Sequence, residues 1–296
     1  MPVKNVATAT TTWRARALAN PFVRILLALL SIAIPFAIVA TPFNVFVADK
    51  SLKRLGALLL TAIVLGAYWG YVRIIERRSV NELSGSRMLR ELGAGMLLGA
   101  LLFCMTVGLL TALGVYHVTG TNGWMVVVAA VPGFILFGVL EEVVMRGIVF
   151  RILEQAFGSW IGLAVSAAIF GLLHLLNPGA TLLNAASVMV EAGVLLAAAY
   201  MVTRRLWFCI GIHIAWNFTE GGIFSAAVSG GDTKGLLQAR FEGPDWLTGG
   251  AFGAEGSIVA LAICAAAGIL FVAQAVRRGH VVQPCWSAKR SIRQAA

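Results

Sequence analysis

The fold is decided by an uncharged stretch near the middle of the chain. Residues 92–140 read LGAGMLLGALLFCMTVGLLTALGVYHVTGTNGWMVVVAAVPGFILFGVL and contain no Asp, Glu, Lys or Arg. A helix needs about 20 mostly apolar residues to cross roughly 30 Å of hydrocarbon, so the stretch is long enough for two crossings. Turn-forming residues at 119–123 interrupt it and predict the connection between the two helices.

The whole chain shares this apolar character. Of its 296 residues, 59% are hydrophobic and 12% are charged, and the mean hydropathy is +0.87. Ordinary soluble domains carry roughly 25% charged residues, so this composition indicates a membrane protein. The uncharged segments predict an all-α polytopic transmembrane bundle with about eight spans, at residues 25–46, 55–73, 93–115, 125–147, 160–177, 182–203, 206–228 and 256–276.

The positive charges predict the orientation. With a cytoplasmic amino terminus, most cations fall on the inner side, as the positive-inside rule requires. The inner cations are Lys4, Arg14, Arg16, Arg24, Arg73, Arg77, Arg78, Arg87, Arg90, Arg151, Arg204, Arg205, Arg277, Arg278, Lys289, Arg290 and Arg293. The outer cations are Lys50, Lys53, Arg54, Lys234 and Arg240. We therefore expect a multi-pass protein of the bacterial inner membrane with both termini in the cytoplasm.

The same distribution bears on partners. The cations on the inner side explain most of the net charge of +10, so no nucleic-acid partner is expected. Contacts between these cations and anionic membrane lipids are expected. Gly- and Ala-rich helix faces pack within a monomer as readily as between protomers, so the sequence predicts no oligomeric state.

The chain divides into five segments. They are a basic tail (1–24), N-terminal transmembrane helices (25–124), a core (125–228), an outer loop with the last helix (229–278) and a second basic tail (279–296). The Gly-rich outer loop, about 229–254, could cap an outer cavity, but the favoured expectation is a solvated loop without a role.

Three short polar signatures lie inside the apolar core segment. Ionisable groups cost about 2.5 to 3.5 kcal/mol each at the centre of a membrane helix, so their presence points to a function. The signatures are Glu141-Glu142-x-x-x-Arg146, Phe170-x-x-x-His174 and His213-x-x-x-Asn217.

The first signature predicts one free and one paired carboxylate. Glu141 and Glu142 are adjacent and point roughly 100° apart on a helix, so they cannot both face one reacting group. Arg146 follows Glu142 by four residues, the spacing at which side chains meet and can neutralise each other. Glu141 is then left to act as a general base toward water.

The other two signatures supply donors. His174 and His213 are on different helices that could share a cavity with Glu141, and Asn217 lies one turn after His213. A neutral imidazole and a carboxamide can stabilise a developing oxyanion. These groups would suffice to hydrolyse an amide, although each residue alone could equally be polar glue between helices.

In this order on successive hydrophobic helices, the three signatures resemble the CPBP family of intramembrane proteases. That family includes the type II CAAX prenyl proteases and the bacteriocin-processing or immunity proteins. The resemblance covers about residues 125–220, and Glu191-Ala192-Gly193 also looks like the family. No motif position departs from the family pattern.

The resemblance implies roles for these residues. Glu141 would activate water, His174 would position that water, and His213 with Asn217 would stabilise the oxyanion. Glu142, Arg146 and Phe170 would support the site. The implied activity is cleavage of a membrane-associated peptide or protein, with a prenylated CAAX substrate as the family precedent, from a cavity opening toward the cytoplasm.

A metal is an open alternative. Glu141, His174 and His213 have the ligand types of a catalytic zinc site, and the family has often been labelled as metalloproteases. No H-E-x-x-H pair is present, and the oxyanion roles would occupy the same histidines. The favoured mechanism therefore uses no cofactor, with a divalent metal such as zinc as the alternative.

Two other functions compete with proteolysis. A non-catalytic membrane immunity or scaffold protein could keep the same helices and polar residues without hydrolysing anything. A transporter could also place ionisable residues in its spans, but the chain lacks the paired half-sequences typical of transporters. One feature tells against a shared site: at about 1.5 Å per residue, straight helices would put His174 and His213 at different depths.

Overall fold

The structure, a computed structural model, describes residues 18–286. In this part of the chain, helical segments cross the molecule in alternating directions. They are α1 (Pro21–Phe46), α2 (Lys50–Glu76), α3 (Met88–Ala112), α4 (Met125–Phe157), α5 (Ser159–Leu176), α6 (Leu182–Thr203), α7 (206–223) and α8 (Ile258–Arg277). The predicted all-α polytopic bundle is confirmed.

Seven of these eight helices are long and apolar enough to cross a membrane, and the chain is a multi-pass membrane protein. The exception is α7, predicted as a span at 206–228, whose hydropathy is lowered by His213, Asn217 and Glu220. It packs against α3, α4 and α6, so its polar side chains are shielded from lipid by other helices. Lipid instead meets side chains such as Leu26, which is more than half exposed on α1.

Helix α1 begins earlier than expected. The Asn20 side chain caps it by accepting hydrogen bonds from the backbone N–H groups of Phe22 (2.9 Å) and Val23 (3.3 Å). The predicted tail 1–24 therefore ends before Pro21, which starts the helix. Residues 1–17 and 287–296, which hold most of the two predicted basic tails, lie outside the described residues.

The bundle has two distinct ends. The terminal end holds both ends of the described chain, since the Phe157 ring lies 6.2 Å from that of Phe22 and 6.3 Å from that of Trp286. The loop end holds the connections 113–124, 177–181 and 224–257. Both ends of the described chain therefore lie at the same end of the bundle.

Ion pairs tie the helices together at the terminal end. Glu76 accepts hydrogen bonds from Arg24 (2.8 Å), Arg78 (2.7 Å) and Arg151 (3.0 Å), which joins α1, α2 and α4. Arg78 also bonds Glu82 in the turn after α2. Burial alone would raise the pKa of Glu82, but hydrogen bonds from Arg78 and Tyr68 together with the Arg78 charge hold that pKa below its usual value.

The loop end is more structured than the sequence predicted. Strand β1 (Tyr116–Thr121) pairs antiparallel with β2 (Leu237–Phe241), and a one-turn helix follows at Asp245–Thr248. The expectation of a solvated loop at 229–254 is wrong, because Phe252 is fully buried and the Asn184 amide of α6 donates to the Gly249 carbonyl (3.3 Å). This loop packs onto the helices because it satisfies their polar groups.

Small residues bring α3 and α7 into close contact. A Cβ atom added at Gly95 or Gly99 of α3 would collide with the backbone carbonyl of Phe208 or Ile212 on α7. Gly211 of α7 is equally close to the α3 backbone. Glycines spaced by four residues allow such backbone approach between membrane helices. The position of α7, and with it His213, depends on this contact.

We expect Gly99→Ala to destabilise the protein by about 1 to 3 kcal/mol, because the added methyl group must push α7 away. The matched control is Gly108→Ala on the same helix, where nothing lies within 4 Å of an added Cβ. That control should change stability by no more than about 0.5 kcal/mol. Thermal unfolding in one detergent compares the variants, and equal unfolding temperatures would contradict this account of the contact.

Candidate active site

A polar cavity lies between helices α4, α5, α6 and α7. Its lining residues are Glu141, Phe170, His174, Val188, Glu191, Ala192, Leu195, Leu196, Ile212, His213, Trp216, Asn217, Ser229 and Glu255. The set includes all four residues predicted to be catalytic. The three signatures, far apart in sequence, thus meet at one cavity.

Glu142 and Arg146 form the buried pair that their spacing predicts. Arg146 donates to Glu142 Oε1 over 2.7 Å, and both side chains are almost fully buried. His213 Nδ1 lies 2.8 Å from the same oxygen. One carboxylate therefore fixes both the arginine of α4 and the histidine of α7.

Arg146 also connects α4 to the next two helices. Its guanidinium carbon lies 5.1 Å from the ring centroid of Phe170 on α5, which is a cation–π contact. Its second terminal nitrogen donates to the Ala192 carbonyl on α6. The buried Arg146 side chain therefore fixes helices α4, α5 and α6 relative to one another.

The helices depart from regular α geometry around this cavity. π-helical turns occupy Val143–Phe150 directly after Glu142, Met189–Val194 around Glu191, and Phe218–Ile223 around Glu220. Such turns are rare and are found frequently at functional sites. They rotate the residues that follow, so helical spacing in the sequence gives the side-chain directions only approximately.

The hydrogen bond of His174 fixes its neutral tautomer. Nδ1 lies 2.8 Å from the backbone carbonyl of Phe170, and a carbonyl can only accept, so Nδ1 carries the hydrogen. Nε2 of the neutral ring is then an acceptor left for the cavity. The ring packs 4.6 Å from that of Phe170, which limits its orientation.

The same argument changes the expectation for His213. An ionised Glu142 accepts from Nδ1, so Nε2 of a neutral His213 ring has a lone pair and cannot donate. Nε2 lies 3.7 Å from Glu141 Oε2. The sequence predicts a neutral His213 as an oxyanion donor. In this geometry, Nε2 of His213 can donate only when the ring is protonated.

Asn217 and Glu141 are the less constrained groups. Within the part of the chain that the structure describes, the Asn217 carboxamide makes no hydrogen bond although the residue is only 8% exposed. The Glu141 side chain is 31% exposed, and His213 is its one charged-group neighbour within 4 Å among residues 18–286. Both side chains are therefore available to a molecule in the cavity.

The cavity lies toward the loop end, because Ser229 and Glu255 belong to the 224–257 connection. The ends of the described chain lie at the opposite end of the bundle, and the cytoplasmic opening of the cavity stays a prediction. Sequence reasoning also missed Ser229, Glu255 and Trp216 as lining residues. Glu191 was linked only to the family pattern, although an ionisable residue inside a membrane span itself indicates a functional site.

The candidate metal ligands are not clustered in the described residues. Among residues 18–286, no group of three or more His, Cys, Asp or Glu side chains is arranged to hold one. The expected alternative set of Glu141, His174 and His213 lines the cavity without forming such a group. No catalytic step below uses a metal.

Fold and site together define a multi-pass helical membrane protein with a polar cavity enclosed by four helices. Residues 122–219, about a third of the chain, match the family model described as Type II CAAX prenyl endopeptidase Rce1-like. This segment contains all three signatures, and the match confirms the resemblance to the CPBP proteases. No curated protein and no solved structure matches the chain.

Proposed function

We propose that this protein is an intramembrane endopeptidase in which Glu141 activates water to hydrolyse a peptide bond of a membrane-associated substrate. The observation that carries the proposal is that the adjacent carboxylates Glu141 and Glu142 have different surroundings. Glu142 accepts from Arg146 and His213, whereas Glu141 pairs with no Lys or Arg among residues 18–286 and lines the same cavity. The endopeptidase family match supports the reaction class.

Water activation follows from the two acceptors in the cavity. A water molecule between Glu141 and His174 can donate one hydrogen to the carboxylate and the other to Nε2 of His174. Glu141 removes a proton as the water oxygen bonds to the substrate carbonyl carbon. The Nδ1 bond to Phe170 keeps His174 in the tautomer that this role needs.

The oxyanion lies on the opposite side of the reacting carbon. The Asn217 amide and Nε2–H of a protonated His213 donate to it, and Glu142 stabilises that imidazolium through Nδ1. Glu141 then gives its proton to the leaving nitrogen as the C–N bond breaks. The products are a new carboxylic acid and a free amine, and proton transfer from the acid to the amine then gives a carboxylate and an ammonium group. Glu141 returns to its starting state.

The test is peptide cleavage by the purified protein in detergent. The substrates are lipid-anchored peptides, half of them prenylated at a carboxyl-terminal CAAX sequence, with and without a strong chelator. The proposal expects cleavage that the chelator does not reduce. Loss of cleavage with the chelator would restore the metal alternative, and intact peptides throughout would favour the non-catalytic membrane protein.

We expect Asn217→Ala to lower kcat by about 10²- to 10³-fold with little change in KM, because an oxyanion donor acts mainly in the transition state. Asn81→Ala, an exposed residue in the turn before α3 at the terminal end, is the matched control and should keep the wild-type rate. Steady-state kinetics on one cleaved peptide compares them. An Asn217→Ala enzyme as active as the control would remove Asn217 from the mechanism.

A further inference from the structure

Glu191 lines the cavity without a role in the mechanism above. It lies in the π-helical turn of α6 and is only 5% exposed. Neither of its carboxyl oxygens has a hydrogen-bond partner within the described residues. Burying a carboxylate without a partner costs free energy, so an unpaired carboxylate at the cavity wall indicates that a ligand binds there.

Two more carboxyl groups lie beside it, and both have structural tasks. Glu255 Oε1 accepts from the backbone N–H (2.5 Å) and hydroxyl (2.7 Å) of Ser229. Glu220 Oε1 accepts from the backbone N–H of Glu255 (3.1 Å). The Glu220 bond fastens the 224–257 connection to α7, and the Ser229 bonds join two parts of the connection to each other. Glu191 alone makes no such bond.

The local charge is one-sided. Glu191, Glu220 and Glu255 are electrostatic neighbours of one another, and within residues 18–286 none of them forms a salt bridge with Lys or Arg. Arg146, on the same wall, is already held by Glu142 and the Ala192 carbonyl. The surroundings of Glu191 therefore favour a cation that enters from the cavity.

We infer that the loop-end part of the cavity, formed by Glu191, Glu255 and Ser229, binds the ammonium or guanidinium group of a basic substrate side chain. This rests on the proposed function, because the subsite shares its cavity with Glu141 and His213. An organic cation fits better than a metal ion, since no three-ligand group is present in the described part. The protease would then select Lys or Arg near the bond that it cleaves.

The first test measures this selectivity. Lipid-anchored peptides carry Lys, Arg, norleucine, citrulline or Glu at one of four positions on either side of the cleaved bond. The wild-type protein should cleave the Lys or Arg peptide with kcat/KM about tenfold or more above the norleucine and citrulline peptides at one position, the size expected for a hydrogen bond to a charged group. Equal values for all five residues at every position would overturn the inference, whatever any variant does.

The variant arm assigns the selectivity to Glu191. Glu191→Gln should reduce the Lys-to-norleucine ratio to about one. The matched control, Glu242→Gln, changes an exposed carboxylate at the end of β2 and should keep the wild-type ratio. A ratio unchanged in Glu191→Gln would overturn the assignment.

A binding arm separates this inference from the proposed function. A fluorescent Lys peptide is titrated into Glu141→Ala and into Glu141→Ala with Glu191→Gln. Binding weakened about tenfold in the double variant supports the subsite even if no peptide is ever cleaved. Cleavage without charge preference keeps the proposed function and rejects the subsite. Equal competition by phosphatidylethanolamine and by the Lys peptide would assign Glu191 to a lipid headgroup and overturn the substrate assignment.

Discussion

Replacing Glu141 with Gln should lower peptide cleavage by about 10²- to 10⁴-fold, the usual contribution of a general base. Gln has nearly the same shape but cannot take a proton from water. Folding should be unaffected, because the Glu141 side chain is partly exposed to the cavity and pairs with no Lys or Arg in the described part of the chain. The measurement is the initial rate on one cleaved peptide, with the thermal unfolding temperature of both proteins recorded in the same detergent.

The control for this prediction is Asp232→Asn, which neutralises an exposed carboxylate in the 224–257 connection. It should leave the rate unchanged. If Glu141→Gln folds normally and cleaves at the wild-type rate, water is activated by another group, and the division of labour between Glu141 and Glu142 has been misread.

The second large effect concerns stability. Arg146→Ala should destabilise the protein by about 3 to 5 kcal/mol, because it leaves the fully buried Glu142 carboxylate without its cation. It also removes the contacts to Phe170 and to the Ala192 carbonyl. Thermal unfolding in detergent provides the measurement.

The matched control for Arg146 is Arg240→Ala. Arg240 pairs with Glu242 over 2.9 Å, but both side chains are more than half exposed. Exposed pairs contribute about 0 to 1 kcal/mol, so this variant should unfold close to wild type. Equal destabilisation by the two substitutions would mean that the Arg146 pair is not desolvated as the structure describes.

The predictable parts of this molecule are those that depend on local sequence. Long apolar segments predict membrane helices because lipid offers no partners to unsatisfied backbone groups. The four-residue spacing of Glu142 and Arg146 predicts their pair because helix geometry brings such side chains together. Residues of all three signatures line one cavity, as the resemblance to the family suggests.

The parts that escaped prediction depend on contacts between distant segments. The partners of Asn184 and Glu220 are more than 20 residues away, so local composition could not show that the 224–257 connection packs on the helices. The sequence predicted α7 as a span like the other helices. It tolerates more polar residues than they do, because it is surrounded by protein. The π-helical turns also left no sequence signal that we could identify.

The two histidines line one cavity, although straight helices would put them at different depths. The Arg146 side chain reaches from Glu142, which bonds His213, to the ring of Phe170, one turn before His174. A long side chain and an extended cavity thus connect residues that straight helices would separate. Counting 1.5 Å per residue ignores this reach.

The most direct test of the central claim is a single-turnover reaction in ¹⁸O-labelled water, with intact protein and peptide fragments both analysed by mass spectrometry. Hydrolysis by water activated at Glu141 predicts one ¹⁸O atom in the new carboxyl group and no peptide adduct on the protein at any time. A covalent peptide adduct on the protein, or a peptide that stays intact, would contradict the account.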